Sequence, residues 1–570
     1  MAIQNKSFIK EGEILYERAL HEPNRVRFFI KDSSNQWQPI TWQMFLECSA
    51  KIALYFKQIG VGVDTKVAVY AQNMVEWAYF GAAIHANRAV FVPVYISSTP
   101  EQVKYILNNS DTEILIIDAK LLIVLFHIWL ELPKLRKVII IGAKNDEDIL
   151  KELETFGKAT GLACSVSTIL DKVSFLDNIY KTSKNSLAED FKTLVDDIKE
   201  TDVSTILYTS GTTGNPKGVV LTIKNLYSNA GDWINVLSPL IPPDGVDLLW
   251  LPFSHIFGWG ELGLGNTLGF TSYLTTYLDV LNHMPAIKPT IFISVPAYWE
   301  KLYLNAKMSS ETKSNQIDKL HELTGGRLKF CLSGGAGLKR EIKEFFYDAG
   351  LLLIEGYGLT ECSPTLTMNS KEAFDFDTVG KPFPSVELKL ASDGEILAKG
   401  PNVFSQYYKD PISTNEAFDE NAWFKTGDIG TFTTEGFLKI LGRKKEIIVT
   451  SGGKNISPQL IESAFKDDPY IEHIVLYGNE RKYITALVTL KNPPNVNDSE
   501  LIEAPEIIQL VQKSIDKVNQ NLASFETIKK FVIFNVHLTP ENGFLTASFK
   551  LKRNKVYEAF QTVLDKLYNN

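Results

Sequence analysis

The sequence predicts an α/β protein in which a large N-terminal part, made of parallel sheets flanked by helices, is followed by a small α+β domain. Over residues 1 to about 190, apolar runs of strand length alternate with helical patterns, which is typical of a parallel sheet with crossover helices. After about residue 443 the predicted strands and helices become short and mixed in order. The length of 570 residues is too great for one core, so we expect three or four structural units of about 150 residues each.

The first part contains four short apolar runs that are predicted as buried strands, at 67–70, 90–94, 114–117 and 138–141. Later strands are expected within 206–208, 219–221, 289–295, 328–333 and 351–355, and those at 328–333 and 351–355 lead into glycine-rich turns. We expect these turns to form a crevice at the carboxyl ends of a sheet, where α/β folds bind ligands. The domain boundary is predicted between residues 441 and 442, so that the domains are 1–441 and 442–570.

In the small domain the sequence predicts a strand and Ser-Gly-Gly loop, a helix at 458–465, strands at 474–477 and 483–490, a long helix, a strand and a basic tail.

Composition restricts the partners and the compartment. The net charge of −8 comes without a basic stripe, which argues against nucleic acid as a partner. The four cysteines, Cys48, Cys164, Cys331 and Cys362, show no paired spacing, which fits a reducing cytoplasm rather than a disulfide framework or a zinc site. The longest apolar run, 121–130, is too short to span a bilayer and is predicted as a buried helix. We expect a cytoplasmic protein, with peripheral attachment to the inner face of a membrane left open, and we predict no oligomeric state.

The stretch 205–222 predicts a phosphate-binding loop between two strands. Its residues 209–214 are all Gly, Ser or Thr, and Asn215, Pro216, Lys217 and Gly218 follow. Small residues let the backbone approach an anion closely, while hydroxyls, N–H groups and an ammonium supply several donors at once. A Walker A loop is excluded, because Lys217 precedes glycine rather than a hydroxyl residue.

Several further motifs occur in order along the chain. They are Tyr-Gly-Leu-Thr-Glu at 357–361, Trp-Phe-Lys-Thr-Gly-Asp at 423–428, Gly-Arg-Lys-Lys-Glu at 442–446, and Thr546, Ser548, Lys550 and Arg553 near the end. Together with the loop at 205–222, they resemble the adenylate-forming superfamily of acyl-CoA synthetases, aryl-CoA ligases, luciferases and peptide-synthetase adenylation domains. The run Pro-Ala-Tyr-Trp-Glu-Lys at 296–301 is most similar to the long-chain fatty acid-CoA ligases. The resemblance covers essentially the whole chain.

The resemblance implies ATP, Mg²⁺ and coenzyme A as cofactor or co-substrates, and a medium- to long-chain fatty acid as substrate. The implied ATP-binding residues are Thr209, Ser210, Gly211, Thr212, Thr213, Gly214, Lys217, Gly334, Gly335, Ala336, Glu355, Gly356, Tyr357, Thr360, Asp428, Arg443 and Lys550. Asp428, in a tight Thr-Gly-Asp turn, would bind the ribose hydroxyls, and the Tyr357 ring would lie against the adenine base.

The implied catalytic residues are Lys550, Thr209 and Glu361, of which Thr209 and Glu361 would ligate Mg²⁺. The resemblance further places His255, Trp259 and Gly260 in the substrate channel, Gly452 and Gly453 in the coenzyme A channel, and a domain hinge at Lys445. The small domain is therefore expected to be mobile. Taken alone, His255 would be interpreted as a core histidine, Glu361 as a solvated turn carboxylate and Lys445 as an ordinary surface lysine.

Two positions depart from the family pattern. Phe549 replaces a common glycine, a departure shared with the long-chain branch, and Val449 stands where many relatives carry a second lysine, which affects one nucleotide contact. Three alternatives remain open: transfer to a carrier-protein phosphopantetheine, an aryl acid as substrate, and a nucleotide-binding protein without turnover. The third would be expected to lack Glu361, Asp428 or Lys550, and all three are present.

Overall fold

The structure, a computed structural model, describes residues 10–142, 147–149, 151, 155, 171–181, 187–209, 215–242, 245–466, 468–492, 501–539, 542–545 and 551–569. The elements up to the end of the phosphate-loop hairpin are α1 (Glu11–His21), β1 (Val26–Lys31), β2 (Trp37–Thr41), α2 (Trp42–Gln58), β3 (Lys66–Tyr70), α3 (Glu76–Ala86), β4 (Val90–Pro93), α4 (Pro100–Asn109), β5 (Ile114–Asp118), α5 (Leu122–Ile128), β6 (Lys137–Ile141), β7 (Val173–Phe175), α6 (Leu176–Tyr180), α7 (Leu187–Asp196), β8 (Val203–Thr209) and β9 (Lys217–Thr222).

The chain continues through α8 (Ile223–Leu237), β10 (Val246–Leu249), α9 (Ile256–Leu268), β11 (Thr271–Leu274), α10 (Val280–Ile287), β12 (Ile291–Ser294), α11 (Pro296–Lys307), α12 (Lys313–Thr324), β13 (Phe330–Ser333), α13 (Arg340–Asp348), β14 (Leu353–Gly358), β15 (Thr365–Met368), β16 (Lys381–Pro382), β17 (Glu387–Leu390), β18 (Glu395–Lys399), β19 (Gln406–Tyr407), α14 (Pro411–Ala417), β20 (Phe424–Phe432) and β21 (Leu438–Arg443). A 3₁₀ turn, Lys444–Glu446, leads to β22 (Ile448–Val449), β23 (Asn455–Ile456), α15 (Pro458–Ser463), β24 (Ile471–Tyr477), β25 (Ile484–Leu490), α16 (Pro505–Asn519), β26 (Ile528–Phe534) and α17 (Arg553–Lys566).

Two large sheets form the first part of the molecule. One has the order β19-β9-β8-β4-β3-β5-β6-β7, and the other has the order β16-β15-β14-β13-β12-β10-β11-β1-β2. The central strands of both sheets are parallel, while β9 and β19 at one edge, and β2, β15 and β16 at the edges of the other, are antiparallel. A four-stranded antiparallel sheet, β17-β18-β20-β21, follows, and the small domain holds β24-β25-β26 and the pair β22-β23. The predicted α/β class with helix-flanked parallel sheets is confirmed.

The sequence signals at the helix ends explain where the helices next to the site begin and stop. The Thr222 hydroxyl accepts from the N–H of Asn225 at 3.2 Å, so α8 starts directly after β9 with a capping box. Helix α9 ends at Gly269, whose φ of +77° is a left-handed conformation that favours glycine. Strands β3 and β5 are buried along their whole length, as expected for parallel strands covered on both faces.

The main core lies between the two large sheets. It joins residues of the first sheet, such as Val67 and Ile114, with Phe28 and Leu249 of the second through the buried faces of α2, α3 and α9. The run 121–130 forms α5 and short 3₁₀ turns, with one face buried, as predicted. Among the helices of the described residues, none is long and apolar enough to cross a membrane.

Two interpretations of the sequence were wrong, and one helix was missed. The second predicted glycine-rich turn is not a turn, because Gly356 and Gly358 belong to β14, which pairs with β13 and β15. The Thr-Gly-Asp segment is inside strand β20 and not a separate turn, because β18 and β21 pair on either side of it. The basic tail leads into a further helix, α17, whose buried residues include Val556, Phe560 and Leu564. Strand β21 also runs through Gly442 and Arg443, two residues past the predicted domain boundary.

A buried charged group links α9 to the second sheet. The fully buried Arg27 guanidinium donates to the side-chain oxygen of Asn266 at 2.8 Å and to the carbonyls of Leu262 and Phe270, both at 3.2 Å. Burial raises the pKa of Asp247 to about 6, although Arg27 acts to lower it. Burial, and then the nearby Asp247, raise the pKa of Glu261 well above its ordinary value. Neither carboxylate oxygen of Glu261 has a hydrogen-bond partner among the described residues.

This environment predicts that Glu261 makes stability depend on pH. An acid whose pKa is higher in the folded protein than in the unfolded chain stabilises the fold when protonated, and that contribution is lost as the pH rises above the ordinary pKa of 4.5. We expect the Tm of wild type to fall between about pH 5 and about pH 8. In Glu261→Gln this drop in Tm should be smaller than in wild type by about 2 °C or more. Thermal scans over this range, with the exposed Glu311→Gln as control, check the prediction; parallel curves for wild type and Glu261→Gln would contradict it.

Candidate functional site

The ends of the predicted phosphate loop are held together by strand pairing. In the antiparallel pair β8–β9, Thr209 lies opposite Lys217, and the Thr209 hydroxyl is 3.5 Å from the Lys217 carbonyl. The Lys217 ammonium lies 5.1 Å from the ring centroid of Tyr407, within reach of a cation–π contact. The predicted phosphate-binding residues Ser210, Gly211, Thr212, Thr213 and Gly214 lie outside the described residues.

Glu361 is brought to this hairpin by Tyr407. The carboxylate of Glu361, in a 3₁₀ turn after β14, accepts a hydrogen bond of 2.9 Å from the Tyr407 hydroxyl. Tyr407 is on β19, which pairs with β9 so that Tyr407 lies opposite Val219. The backbone N–H of Phe404 donates to the Glu361 carbonyl at 2.8 Å and fixes the same turn. Sequence reasoning missed Tyr407, because no local motif indicates that a two-residue strand pairs with β9.

Asp428 forms the second polar group of the site. Its two carboxylate oxygens accept from the Tyr357 hydroxyl at 2.6 Å and pair with the Arg443 guanidinium at 2.8 Å. Burial and the Asp428 charge raise the pKa of the Tyr357 phenol well above its usual value, so Tyr357 stays a donor at neutral pH. Gly427 immediately before Asp428 has a φ of +71°, which only glycine adopts without strain. Tyr357, Asp428 and Arg443, predicted from three separate motifs, therefore lie together.

The segment 357–362 joins the two polar groups, since Tyr357 contacts Asp428 and Glu361 contacts Tyr407. Cys362, at its end, is fully buried, and burial followed by the charges of Glu361 and Asp428 raises the pKa of its thiol well above the ordinary value. A buried thiol with a raised pKa stays protonated and is a poor nucleophile, so Cys362 is a core residue of the site and not a reactive one. Gly356 and Thr360, also predicted to bind ATP, are in β14 and in the adjoining 3₁₀ turn.

The glycine turn after β13 is supported from beneath by a buried ion pair. Glu355 pairs with Lys343 and accepts the N–H of Leu338 at 2.8 Å, and both charged side chains are 4% exposed. The Glu355 carboxylate is thus engaged inside the protein, and its predicted contact with the nucleotide stays a prediction. Gly335 in the turn has a φ of +84°, and a side chain at Gly334 would collide with the ring of Phe257. Ala336 follows in the same turn.

The three predicted channel residues, His255, Trp259 and Gly260, lie at or near the start of helix α9 but have different surroundings. His255 is its N-cap and accepts from the N–H of Phe257 at 3.1 Å. Trp259 is 8% exposed and packs against Phe91 of β4, with ring centroids 4.8 Å apart. Its side chain therefore lies in the core of this structure, and its role in a substrate channel stays a prediction. Gly260 and Gly263 have no atom within 4 Å of an added Cβ. Because residues three apart share a helix face, open space runs along α9 on that side.

Of the site residues predicted in the small domain, the structure describes only some. Lys550 lies outside the described residues, but Leu545 and Leu551 on either side of that stretch pair with each other. Arg553, buried at the start of α17, makes a bidentate pair with Glu462 at 2.6 and 2.7 Å. Gly452 and Gly453 are exposed in the turn between β22 and β23, and Lys445 is exposed in the 3₁₀ turn after β21.

The donor set fits a magnesium ion carried by a nucleotide. The Glu361 carboxylate and the Thr209 hydroxyl are hard oxygen donors, and Mg²⁺ bound through phosphates needs only one or two of these from the protein. Among the described residues there is no cluster of three or more His, Cys, Asp or Glu side chains that would hold a metal by itself.

Comparison with known proteins decides the family. The model of the AMP-binding enzyme family matches residues 15–408, and the model of the AMP-binding enzyme C-terminal domain matches residues 445–570. The chain belongs to the AMP-binding enzyme family. The predicted adenylate-forming identity is therefore confirmed. The domain boundary and the individual roles of the site residues stay predictions.

Relatives of this AMP-binding enzyme include long-chain fatty acid ligases. It is 30% identical to the long-chain-fatty-acid–CoA ligase FadD15 of Mycobacterium bovis, over 94% of this chain and 93% of that protein. It is 29% identical to the peroxisomal long chain acyl-CoA synthetase 6 of Arabidopsis thaliana, over 89% of this chain and 78% of that protein.

Solved structures share the fold. The anthranilate CoA ligase AuaEII in complex with anthranoyl-AMP superposes with a TM-score of 0.76 at 20% identity, covering 98% of both chains. The o-succinylbenzoate coenzyme A synthetase of Bacillus subtilis, in complex with ATP and a magnesium ion, gives a TM-score of 0.68 at 23% identity, covering 95% of this chain and 98% of that one.

If Asp428 binds the ribose hydroxyls, it should discriminate AMP from its 2′,3′-dideoxy analogue. We expect wild type to prefer AMP by about tenfold or more, and Asp428→Asn to lose most of this preference, because charge-assisted hydrogen bonds are worth about twice neutral ones. Titration calorimetry with both nucleotides gives the two Kd values. The control is Glu435→Gln, an exposed carboxylate in the turn between β20 and β21. Equal loss of affinity for both nucleotides would show that Asp428 does not contact the ribose.

Proposed function

We propose that this enzyme activates a medium- to long-chain fatty acid with ATP and transfers the acyl group to coenzyme A, releasing AMP and pyrophosphate. The observation that carries the proposal is the arrangement around the segment 357–362. It brings Glu361 beside the β8–β9 hairpin and Tyr357 onto Asp428, so that groups suited to phosphates and groups suited to a ribose lie on adjoining parts of one site. The long-chain ligases among the relatives support the choice of acid.

The chemistry follows from the poor leaving group of a carboxylate. A carboxylate oxygen attacks the α-phosphorus of ATP, the new O–P bond forms, and the bond to pyrophosphate breaks. Negative charge on the phosphoryl oxygens is stabilised by cations placed beforehand, here Lys217 and Lys550. Magnesium, when bound by Thr209 and Glu361, supplies further positive charge to the phosphates. In the second step the thiol sulfur attacks the acyl carbon, the bond to AMP breaks and the thiol proton is released.

Asp428, Tyr357 and Arg443 have a positioning task in both steps. A ribose held by the Asp428 carboxylate keeps the α-phosphorus at a constant place relative to the phosphate loop. The Tyr357 hydroxyl and the Arg443 guanidinium keep that carboxylate in one orientation and reduce the cost of burying its charge.

The open space beside Gly260 and Gly263 supports an extended apolar substrate. The space starts near the glycine turn after β13, because Phe257 on the same helix lies against Gly334. We place His255 near the entrance of this channel.

The protein is proposed to be cytoplasmic, in keeping with the free thiols of Cys48, Cys331 and Cys362, with peripheral membrane attachment as the alternative. The acceptor is proposed to be coenzyme A, reached past Gly452 and Gly453.

A ladder of carboxylic acids tests the substrate. Each buried CH₂ contributes about 0.8 kcal/mol, so kcat/KM for AMP release should rise with chain length until the channel ends. Gly260→Leu should fill part of the space and move the optimum to shorter acids. The control is Gly231→Leu, on α8, where an added side chain also meets no atom within 4 Å.

Preference for acetate or benzoate over every fatty acid of about eight or more carbons would contradict the proposed substrate. The acceptor is tested in the same assay by replacing coenzyme A with a phosphopantetheine-bearing carrier protein. Faster transfer to the carrier protein would favour that alternative.

Lys550 is proposed to act in adenylate formation and not in thioester formation. Lys550→Ala should lower the rate of adenylate formation by about 10²- to 10³-fold, as expected for loss of one strong electrostatic donor. It should still convert a supplied acyl-adenylate and coenzyme A to acyl-CoA at about the wild-type rate. Lys555→Ala, an exposed lysine in α17, serves as control. Equal loss of both half-reactions in a folded Lys550→Ala protein would contradict this role.

A further inference from the structure

Lys444 is the residue between Arg443 and the proposed hinge residue Lys445, and it makes two ion pairs with the large domain. Its ammonium lies 2.6 Å from a carboxylate oxygen of Asp393 and 2.7 Å from one of Glu395. The Asp393 side chain is 48% exposed and that of Glu395 is 7% exposed. Since exposed pairs contribute little, the contact with Glu395 is the one expected to matter.

Glu395 continues the contact toward the nucleotide site. Its other carboxylate oxygen accepts the backbone N–H of Gly427 at 3.0 Å. Gly427 is the residue with φ of +71° directly before Asp428, and Glu395 itself lies opposite Ile429 in the pair β18–β20. A chain of contacts therefore runs from Lys444 through Glu395 to the backbone that carries Asp428.

The charge on Glu395 makes this chain sensitive to Lys444. A buried carboxylate needs compensation by a cation or by hydrogen-bond donors, and Glu395 has Lys444 and the Gly427 N–H. Without the ammonium, the carboxylate would be left with less compensation and would reorient toward solvent. The Gly427 N–H would then lose its acceptor, and the backbone conformation next to Asp428 would lose the support of this hydrogen bond.

The adjoining Arg443 is held to the large domain as well, through Asp428. Arg443 and Lys444 are thus both paired with the β18–β20 region, whereas Lys445 is exposed in the following turn. A hinge needs one fixed side, and hinge residues are those at the ends of elements that absorb the dihedral change. The fixed side ends at Lys444.

We propose that Lys444 is a positioning residue that fixes the large-domain side of the hinge to the backbone carrying Asp428, and so couples nucleotide binding to the hinge. The inference rests on the proposed roles of Asp428 and Lys445. It does not depend on which acid or which thiol the enzyme uses, because its test needs only AMP.

The test combines AMP affinity with amide hydrogen exchange of two peptides, one covering 424–432 and one covering 444–449. In wild type, AMP should slow exchange in both. In Lys444→Met, the Kd for AMP should rise about three- to tenfold, and AMP should slow exchange in the first peptide only. Lys444→Arg keeps the charge and should stay within about twofold of wild type. Glu395→Gln should behave like Lys444→Met, and it tests the same contact if Lys444→Met is poorly folded.

Two comparisons separate this role from a general effect of charge. Because both changes break one contact, the double variant Lys444→Met/Glu395→Gln should bind AMP no more weakly than the worse single variant, within about twofold. Asp393→Asn and Lys439→Met should be close to wild type; Lys439 is an exposed lysine on β21 with no ion pair found among the described residues. The proposal is overturned if Lys444→Met keeps the wild-type Kd and protection pattern, if the two changes add, or if AMP protects only the first peptide in wild type. Failure of the fatty acid ladder with these AMP results intact would overturn the substrate and not the coupling.

Discussion

The Asp428 carboxylate is the contact on which the geometry of the site depends. It is 4% exposed and is shared between the Tyr357 hydroxyl and the Arg443 guanidinium, which come from different sheets. A buried carboxylate is costly unless its oxygens are paired, and here one pairing partner orients β14 and the other orients the end of β21. The Asp428 carboxylate therefore holds the ends of β14 and β21 together, and these two contacts keep it in one orientation for a ligand.

The phosphate-binding side is organised by strand pairing at an edge. Strand β9 reverses the direction of the parallel sheet, which brings Lys217 back opposite Thr209, and β19 adds Tyr407 beside it. Antiparallel edges of this kind let the two ends of a loop lie on neighbouring strands, whereas a parallel strand would need a crossover connection. Glu361 then reaches the hairpin from the other sheet through the Tyr407 hydroxyl.

Charged groups are used differently in the core and at the domain connection. Arg27, Asp247 and Glu261 are enclosed, and their pKa values are displaced mainly by burial. Lys444 lies directly after β21, next to the predicted domain boundary, and of its two partners Glu395 is buried and Asp393 is exposed. Arg27, Asp247 and Glu261 join α9 to the second large sheet. The pairs of Lys444 are proposed to connect nucleotide binding to the hinge, which has to move in the proposed mechanism.

The sequence by itself determined the class of the fold, several of the parallel strands of both large sheets and the residues of the main motifs, because apolar periodicity and glycine-rich loops are local properties of the chain. It could not determine that Trp259 fills the core over Gly81, that Glu355 is enclosed by Lys343, or that Tyr407 supports Glu361. It also missed the coupling of Lys444 to Glu395, residues 49 positions apart. These are contacts between separate elements of the fold, and only the tertiary structure decided them, because the packing of those elements selects which of several chemically suitable partners a side chain meets.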